Sequence, residues 1–187
     1  MGYTDIEWKF KRIGKNVQIG KNVYIRYPEE TEIGDNVIID EFCYFTTSLK
    51  IGNNVHIAPM CSVIGGKSSL LVMEDFSGFA AGVRVICSSD DFFVGLTGPT
   101  IPAELRPNCV PGTIIVKRHG LLGTNSVVHP GVVIAEGAAT GSMTLVTKSL
   151  EPWMVYKGIP AKPFAQRDSV SIKKMEIEYL TRIGRLK

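Results

Sequence analysis

The sequence lacks the features of a membrane-spanning protein and of a small domain held together by disulfides. No run of about 18 apolar residues occurs among its 187 residues, so no transmembrane helix is predicted. Residues 1–15 are polar and charged, without the apolar core of a signal peptide. The four cysteines form no C-x-x-C pair, and two of them occupy inward positions of the repeat described below, which predicts reduced, buried thiols. These absences favour the cytoplasm.

A strong charge of one sign is also missing. The formal net charge is +3, and lysine and arginine are scattered rather than gathered into a basic stripe, so no nucleic-acid partner is predicted. Hydrophobic residues make up 44% and charged residues 21%, which is typical of a globular domain. Histidine is scarce, with three copies, so few side chains are available for proton transfer near neutral pH.

What the sequence does contain is a repeat of six residues. An aliphatic residue is followed by a small one, two turn formers, a small or β-branched residue and a variable one, as in 13–18, 19–24, 33–38, 51–56, 122–127 and 134–139. This spacing does not match the alternation of three and four in an α-helix. It predicts short strands joined by tight corners, three strands to a coil, with glycine or asparagine where a positive φ is useful.

The leading aliphatic residues fall into three columns over about six coils. The first column contains Ile13, Ile33, Ile51, Met73, Val116 and Ile134; the second contains Ile19, Ile39, Ile57, Phe79, Leu122 and Thr140; the third contains Ile25, Phe45, Val63, Val85, Val128 and Val146. Every insertion falls at the corner after the third column, at 27–32, 65–71 and about 86–114. A sandwich with scattered turns would not keep three columns in phase. The pattern therefore predicts an all-β fold, a parallel β-helix roughly 25 Å long with a long loop at one corner.

Three segments near the end of the repeats have a distinctive sequence: 120–131 (GLLGTNSVVHPG), 141–148 (GSMTLVTK) and 156–162 (YKGIPAK). With these segments the chain resembles the hexapeptide-repeat acyltransferases over about 13–167, and within them the sugar O- and N-acetyltransferases of bacterial surface polysaccharide biosynthesis. The resemblance implies a left-handed β-helix and a homotrimer that binds an acyl-CoA, most commonly acetyl-CoA, between neighbouring prisms. It also implies that coenzyme A is bound by Thr124, Ser142, Thr147, Lys148 and Lys162.

The pattern changes after Lys162. The apolar residues Ile172, Met175, Tyr179, Leu180 and Ile183 are spaced like one stripe of an amphipathic helix, which Asp168 or Ser169 would cap. We therefore predict two parts, a β-helix domain at 1–167 and a C-terminal helix at 168–187. The helix is expected to cover the end of the prism, where strand edges would otherwise be open.

Acyl transfer needs a base or an oriented nucleophile beside the thioester, and two histidines are candidates. His56 is the sixth residue of its repeat and points outward from a flat face, where the next two coils carry Gly78 and Leu121. The resemblance implies that Leu121 lies at the acyl-transfer point, so His56 is either the base or a surface histidine. His119 lies at the first corner, where a turn role is favoured over a catalytic one.

The long loop is the other candidate region, because a protrusion of this length is usually functional. The resemblance implies a catalytic histidine here, but the segment 87–93 carries Asp90 and Asp91 and no histidine. Two interpretations remain open. In one, His56 is the base and Asp90 or Asp91 orients it or binds the sugar. In the other, an amine acceptor is nucleophilic enough to need no side-chain base.

We therefore expect an acyl-CoA-dependent transferase acting on a hydroxyl or amino group of a sugar. The alternative within this class is N-acylation of a nucleotide-linked amino sugar. Two alternatives come from other classes: a zinc hydratase of the γ-carbonic-anhydrase type and a non-catalytic trimeric scaffold. Because the three histidines fall at different positions of the coils, no metal is expected.

Overall fold

The computed structural model describes residues 8–109 and 111–186 and shows a parallel β-helix. Short strands with tight corners between them build successive coils, as the repeat predicts. The strands are β1 (Arg12–Ile13), β2 (Val17–Ile19), β3 (Tyr24–Ile25), β4 (Glu32–Ile33), β5 (Val37–Ile39), β6 (Tyr44–Ile51), β7 (His56–Ile57), β8 (Ser62–Met73), β9 (Gly78–Phe79), β10 (Arg84–Ile86), β11 (Thr113–Val116), β12 (Leu121–Leu122), β13 (Val127–Val128), β14 (Val133–Ile134), β15 (Ala139–Thr140), β16 (Leu145–Val146), β17 (Met154–Lys157) and β18 (Lys162–Gln166). One α-helix, α1 (Ser169–Arg182), follows.

The strand registers confirm the three predicted columns. In the first column, for example, Ile33 pairs with Ile51 and Ile51 with Met73, and in the third Phe45 pairs with Val63. Two columns continue further than predicted, because Leu150 pairs with Ile134 and Tyr156 with Thr140. A partial seventh coil therefore extends the stack.

The column residues form the hydrophobic core of the prism. Phe45, Ile57 and Val116 are fully buried, and each such side chain contributes about 1.5–3 kcal/mol by leaving water. Ile13 is the exception, at 50% exposure, because it belongs to the first coil, which within the described residues pairs with a strand on one side. Cys43, Cys61 and Cys87 are free thiols buried in the same core. Burial raises the pKa of Cys87 to about 12.

The corner after the third column differs from the other two, since β6 and β8 run through it without a break. Thr46 and Thr47 are buried there, and these long strands join two faces into a ten-stranded sheet. The remaining face is an eight-stranded sheet made from β2, β5, β7, β9, β12, β15, β17 and β18. The predicted insertions protrude from the prism at this corner. The longest forms the loop 87–112 between β10 and β11.

The first corner is built from residues in the left-handed conformation. Asn16, Asn36 and Asn54 each have φ 55°, and their side-chain amides bond to one another at 2.9 and 3.2 Å. Further along the same corner Phe76 and His119 adopt φ 60° and their rings stack with centroids 5.3 Å apart. The turn role predicted for His119 matches this conformation.

Helix α1 lies along this first corner. Its N-cap is Asp168, as predicted, whose carboxylate accepts a hydrogen bond from the Ser171 amide. Tyr179 donates to Asn54 at 3.0 Å, and Lys173 lies over the ring of Trp153 at 5.0 Å. These contacts reach several successive coils, so the prediction that the helix covers the end of the prism is wrong. Side chains at the first corner of the coils bind the helix and hold it along the side of the prism. In residues 8–109 and 111–186 no helix is long and apolar enough to span a membrane.

Candidate active site

The eight-stranded face carries an open groove of about 670 Å³. Its floor is the row of outward residues that the coils place one above another, among them His56, Gly78 and Leu121. A Cβ atom at Gly78 would lie 3.2 Å from the His56 carbonyl oxygen and 3.5 Å from Leu121 Cδ2. The glycine therefore leaves space between the imidazole and the leucine. The other lining residues are mostly small or apolar: Asn54, Ala58, Phe76, Ser77, Phe79, Ala80, Ala81, Leu122, Gly123, Ala139 and Thr140.

His56 lies in this groove with its side chain 57% exposed. Its Nε2 atom is 2.7 Å from Oδ2 of Asp40, which follows the strand below. Within the described chain the carboxylate that contacts His56 is therefore that of Asp40, whereas Asp90 and Asp91 were the predicted partners. Sequence reasoning overlooked Asp40, although it stands at a repeat position where the neighbouring coils of this face carry glycine or alanine.

Asp90 is bonded within the long loop. Its carboxylate accepts hydrogen bonds from the Gly98 amide at 2.7 Å and from Arg106 Nη1 at 3.2 Å. The Gly98 amide above all, with Arg106 contributing, holds the pKa of Asp90 below its usual value. Asp90 is therefore an anion in a fixed position.

Asp91 is held in a similar way on the other side of the loop. Its carboxylate accepts from Asn108 Nδ2 at 2.9 Å and from the Phe93 amide at 2.8 Å, and these two bonds lower its pKa. Neither aspartate makes a hydrogen bond to His56 in the described chain. Asp90 instead borders a separate cavity of about 530 Å³ between the loop and the corner after the third column, together with Arg26 and Arg106.

His119 is buried at the first corner and bonds to helix α1. Its Nε2 atom is 2.5 Å from Oε2 of Glu176, and Arg118 Nε donates to the other oxygen of that carboxylate at 2.8 Å. Burial acts to raise the pKa of Glu176, but the hydrogen bonds from Arg118 and His119 outweigh it and the pKa is lowered. With its ring stacked and its nitrogen bonded, His119 anchors the helix rather than facing the groove.

Three of the five residues predicted to bind coenzyme A converge. Thr147, Lys148 and Lys162 line one cavity of about 330 Å³ beside Pro160 and Ala161. The other two are on the second corner, where Thr124 lies one coil below Ser142 and its carbonyl accepts from the Met143 amide. Exposed lysines beside small backbone turns suit the phosphates of a nucleotide. No group of three metal-binding side chains occurs within the described ranges 8–109 and 111–186.

These features together describe a parallel β-helix with cavities on its outer faces. The family described as "Bacterial transferase hexapeptide (six repeats)" matches residues 30–65. The chain is also 34% identical over 178 residues to dTDP-4-amino-4,6-dideoxy-D-glucose acyltransferase from Escherichia coli, covering 92% of this chain and 88% of that enzyme. The chain belongs to the hexapeptide-repeat acyltransferases and is an acyltransferase.

Two solved structures are similar to the chain along nearly its whole length. One is AntD, an N-acyltransferase from Bacillus cereus, in complex with dTDP and 3-hydroxybutyryl-CoA, with 37% identity and a TM-score of 0.89 over 94% of this chain and 92% of that one. The other is a variant of the same enzyme in complex with dTDP-4-amino-4,6-dideoxyglucose and coenzyme A, with 38% identity and a TM-score of 0.88 over 92% of each chain.

Proposed function

We propose that this chain transfers an acyl group from an acyl-CoA to the amino group of a nucleotide-linked amino sugar. The observation that carries the proposal is the similarity along 92% of the chain to an acyltransferase of dTDP-4-amino-4,6-dideoxy-D-glucose. The similarity to an N-acyltransferase bound to dTDP and an acyl-CoA supports the same substrate classes. Acetyl-CoA is the simplest donor, and a 3-hydroxybutyryl group is the second one to test.

The proposed reaction is direct attack within a ternary complex. The sugar amine forms a bond to the thioester carbon, and the carbon–sulfur bond breaks as the intermediate collapses. His56 takes the proton from the attacking nitrogen and passes it to the departing thiolate, giving the amide and free coenzyme A. Backbone amides at the coil edges would stabilise the oxyanion that forms in between.

The remaining predicted residues take binding roles in this proposal. Thr124, Ser142 and Thr147 would contact the pantetheine arm of coenzyme A. The ammonium groups of Lys148 and Lys162 would bind its phosphates. Asp90 and Asp91, fixed as anions by their loop, suit the ammonium form of an amino sugar before it loses its proton.

We also propose an assembly and a cellular compartment for this enzyme. The enzyme works as a homotrimer that places the loop of one subunit beside the groove of another. Nucleotide sugars and coenzyme A thioesters are cytoplasmic metabolites, so the reaction takes place there and supplies a modified sugar for surface polysaccharide.

The pairing of His56 with Asp40 favours a second candidate, O-acylation of a sugar hydroxyl. A hydroxyl is a weaker nucleophile than an amine and depends more on a base, and a histidine paired with a carboxylate is such a base. Replacement of His56 by alanine separates the two candidates. A severe loss of activity fits a hydroxyl acceptor, and a mild loss fits an amine.

The test uses matched acceptors with the purified full-length protein. Acetyl-CoA or 3-hydroxybutyryl-CoA is incubated with dTDP-4-amino-4,6-dideoxyglucose or with dTDP-6-deoxyglucose, which has a hydroxyl in place of the amine. Thiol release and the product mass are measured. We expect acylation of the amino sugar alone. Acylation of the hydroxyl sugar alone would move the assignment to the second candidate, and failure to bind acyl-CoA at millimolar concentration by titration calorimetry would overturn both.

A further inference from the structure

One residue breaks the pattern of small side chains beside the groove. On the eight-stranded face, the residue after each inward residue of the second column is glycine or alanine in five of the first six coils: Gly20, Ala58, Ala80, Gly123 and Gly141. In the second coil this residue is Asp40. Its backbone follows the rule of its neighbours, because its amide donates to Ile57 as the Ala58 amide donates to Phe79. The carboxylate therefore adds nothing that the fold requires at this position.

The carboxylates at the corners behave differently. Asp35 accepts from the Lys15 amide, Asp75 from the Asn53 amide, and Glu41 from the Lys21 and Asn22 amides, so each one ties two coils together. Within the described part of the chain, the side chain of Asp40 has a different partner, Nε2 of His56. The contact joins two side chains that are both partly exposed, at 40% and 57%. Such a pair contributes little to stability, about 0–1 kcal/mol.

The geometry of this contact determines which imidazole nitrogen is free. A carboxylate is an acceptor, so Asp40 fixes a proton on Nε2 of His56 and leaves the lone pair on Nδ1. A neutral imidazole held in one tautomer is the form that removes a proton, and the paired carboxylate stabilises the imidazolium that results. His56 lines the groove that Gly78 keeps open.

We infer that Asp40 is a positioning residue for acyl transfer, which holds His56 in the tautomer and orientation of a general base. The inference rests on the proposed function, since it assigns a partner to the base of that reaction. It applies to an amine or a hydroxyl acceptor, because both must lose a proton as the new bond to the acyl carbon forms. Asp40 itself does not touch the substrate.

The experiment compares Asp40→Asn with a matched control, Glu32→Gln. Glu32 is also a partly exposed carboxylate in an ion pair, with Lys11 at 2.9 Å, but it lies on β4 in the ten-stranded sheet, away from the groove. An asparagine at position 40 donates its amide to Nε2, which moves the ring proton to Nδ1 and removes the base. We expect kcat to fall to the level of His56→Ala, by about tenfold with an amine acceptor and about 100-fold or more with a hydroxyl acceptor, while KM for either substrate stays within about twofold; the control should retain wild-type kinetics.

Two further measurements separate positioning from a structural effect. First, the double variant Asp40→Asn with His56→Ala should be no slower than His56→Ala alone, because both changes remove the same base. Second, nitrogen NMR of the imidazole rings should show His56 protonated on Nε2 in the wild type and on Nδ1 in Asp40→Asn. With three histidines in the chain, the signals can be assigned by single substitutions.

Each outcome has a definite meaning. Unchanged kcat in Asp40→Asn, fully additive losses in the double variant, or an unchanged His56 tautomer would overturn the inference. If the wild type acylates no sugar at all, the proposed function fails, while the NMR measurement still tests the contact independently. Thermal unfolding of all variants should remain within about 2 °C of the wild type, since the pair is exposed.

Discussion

At the scale of single residues, Gly78 determines how much space lies beside His56. A valine here would keep the strand conformation, because its branched side chain suits a strand, but its methyl groups would enter the groove against Leu121. We expect Gly78→Val to lower kcat/KM at least about tenfold with little change in stability, and Gly78→Ala to retain most activity because its Cβ meets the His56 carbonyl at 3.2 Å and projects no further. Steady-state kinetics and thermal unfolding check this. Wild-type kinetics in the valine variant would show that no substrate occupies this part of the groove.

At the scale of elements, helix α1 is held to the first corner by charge more than by apolar burial. None of its residues is fully buried, and its central contact is Glu176 with Arg118 and His119. We expect Glu176→Gln to cost about 1–3 kcal/mol of helix docking, because both partners lose a charged acceptor. Limited trypsin digestion should then cleave faster at Lys173 and Lys174. Exchange of the exposed Glu178 for glutamine is the control and should leave the cleavage rate unchanged.

The same contact predicts how docking of α1 depends on pH. The pKa of Glu176 is lowered in the folded state from its ordinary value of 4.5, so its contribution is complete above that value and is lost as the pH falls through the lowered pKa. We expect α1 in the wild type to become sensitive to pepsin, which is active in acid, as the pH falls below 4.5 through the lowered pKa of Glu176, and this acid dependence to be absent in Glu176→Gln. An equal acid dependence in both proteins would contradict this assignment.

The columns and helix α1 differ in how completely local residue patterns determine them. The three columns could be predicted residue by residue, because each inward position must be aliphatic in every coil and a one-residue slip would expose it. The place of α1 could not, because its stripe of apolar residues shows that one face is covered but not what covers it. Asp40 was missed for a related reason. Its partner His56 is 16 residues away, and only the stacking of coils brings the two together.

At the scale of the whole molecule, the predicted site residues are distributed over different sides of one prism. His56 faces outward from the eight-stranded face, Asp90 and Asp91 belong to the loop at the corner after the third column, and Lys148 and Lys162 line a cavity near the last coil. One chain therefore does not join the proposed base, sugar-binding carboxylates and phosphate-binding lysines into a single site. In our proposal the neighbouring prisms of a homotrimer would bring these groups together, and this is the physical reason for proposing that assembly.

The loop shows where such an assembly would make contact. Phe93 is 97% exposed and Phe92 is 82% exposed, and the exposed residues Val94 and Leu96 lie beside them. Such a cluster of solvent-exposed apolar side chains is typical of a protein–protein interface. We expect a native mass of about 62 kDa, three times that of the 20.5 kDa chain, by light scattering. Phe93→Ser should raise the dissociation constant of the trimer at least about tenfold and lower activity in parallel at low protein concentration, whereas Val170→Ser, on exposed apolar surface of α1, should change neither. A monomeric wild type with full activity would show that one prism is sufficient and that Asp90 and Asp91 serve the loop alone.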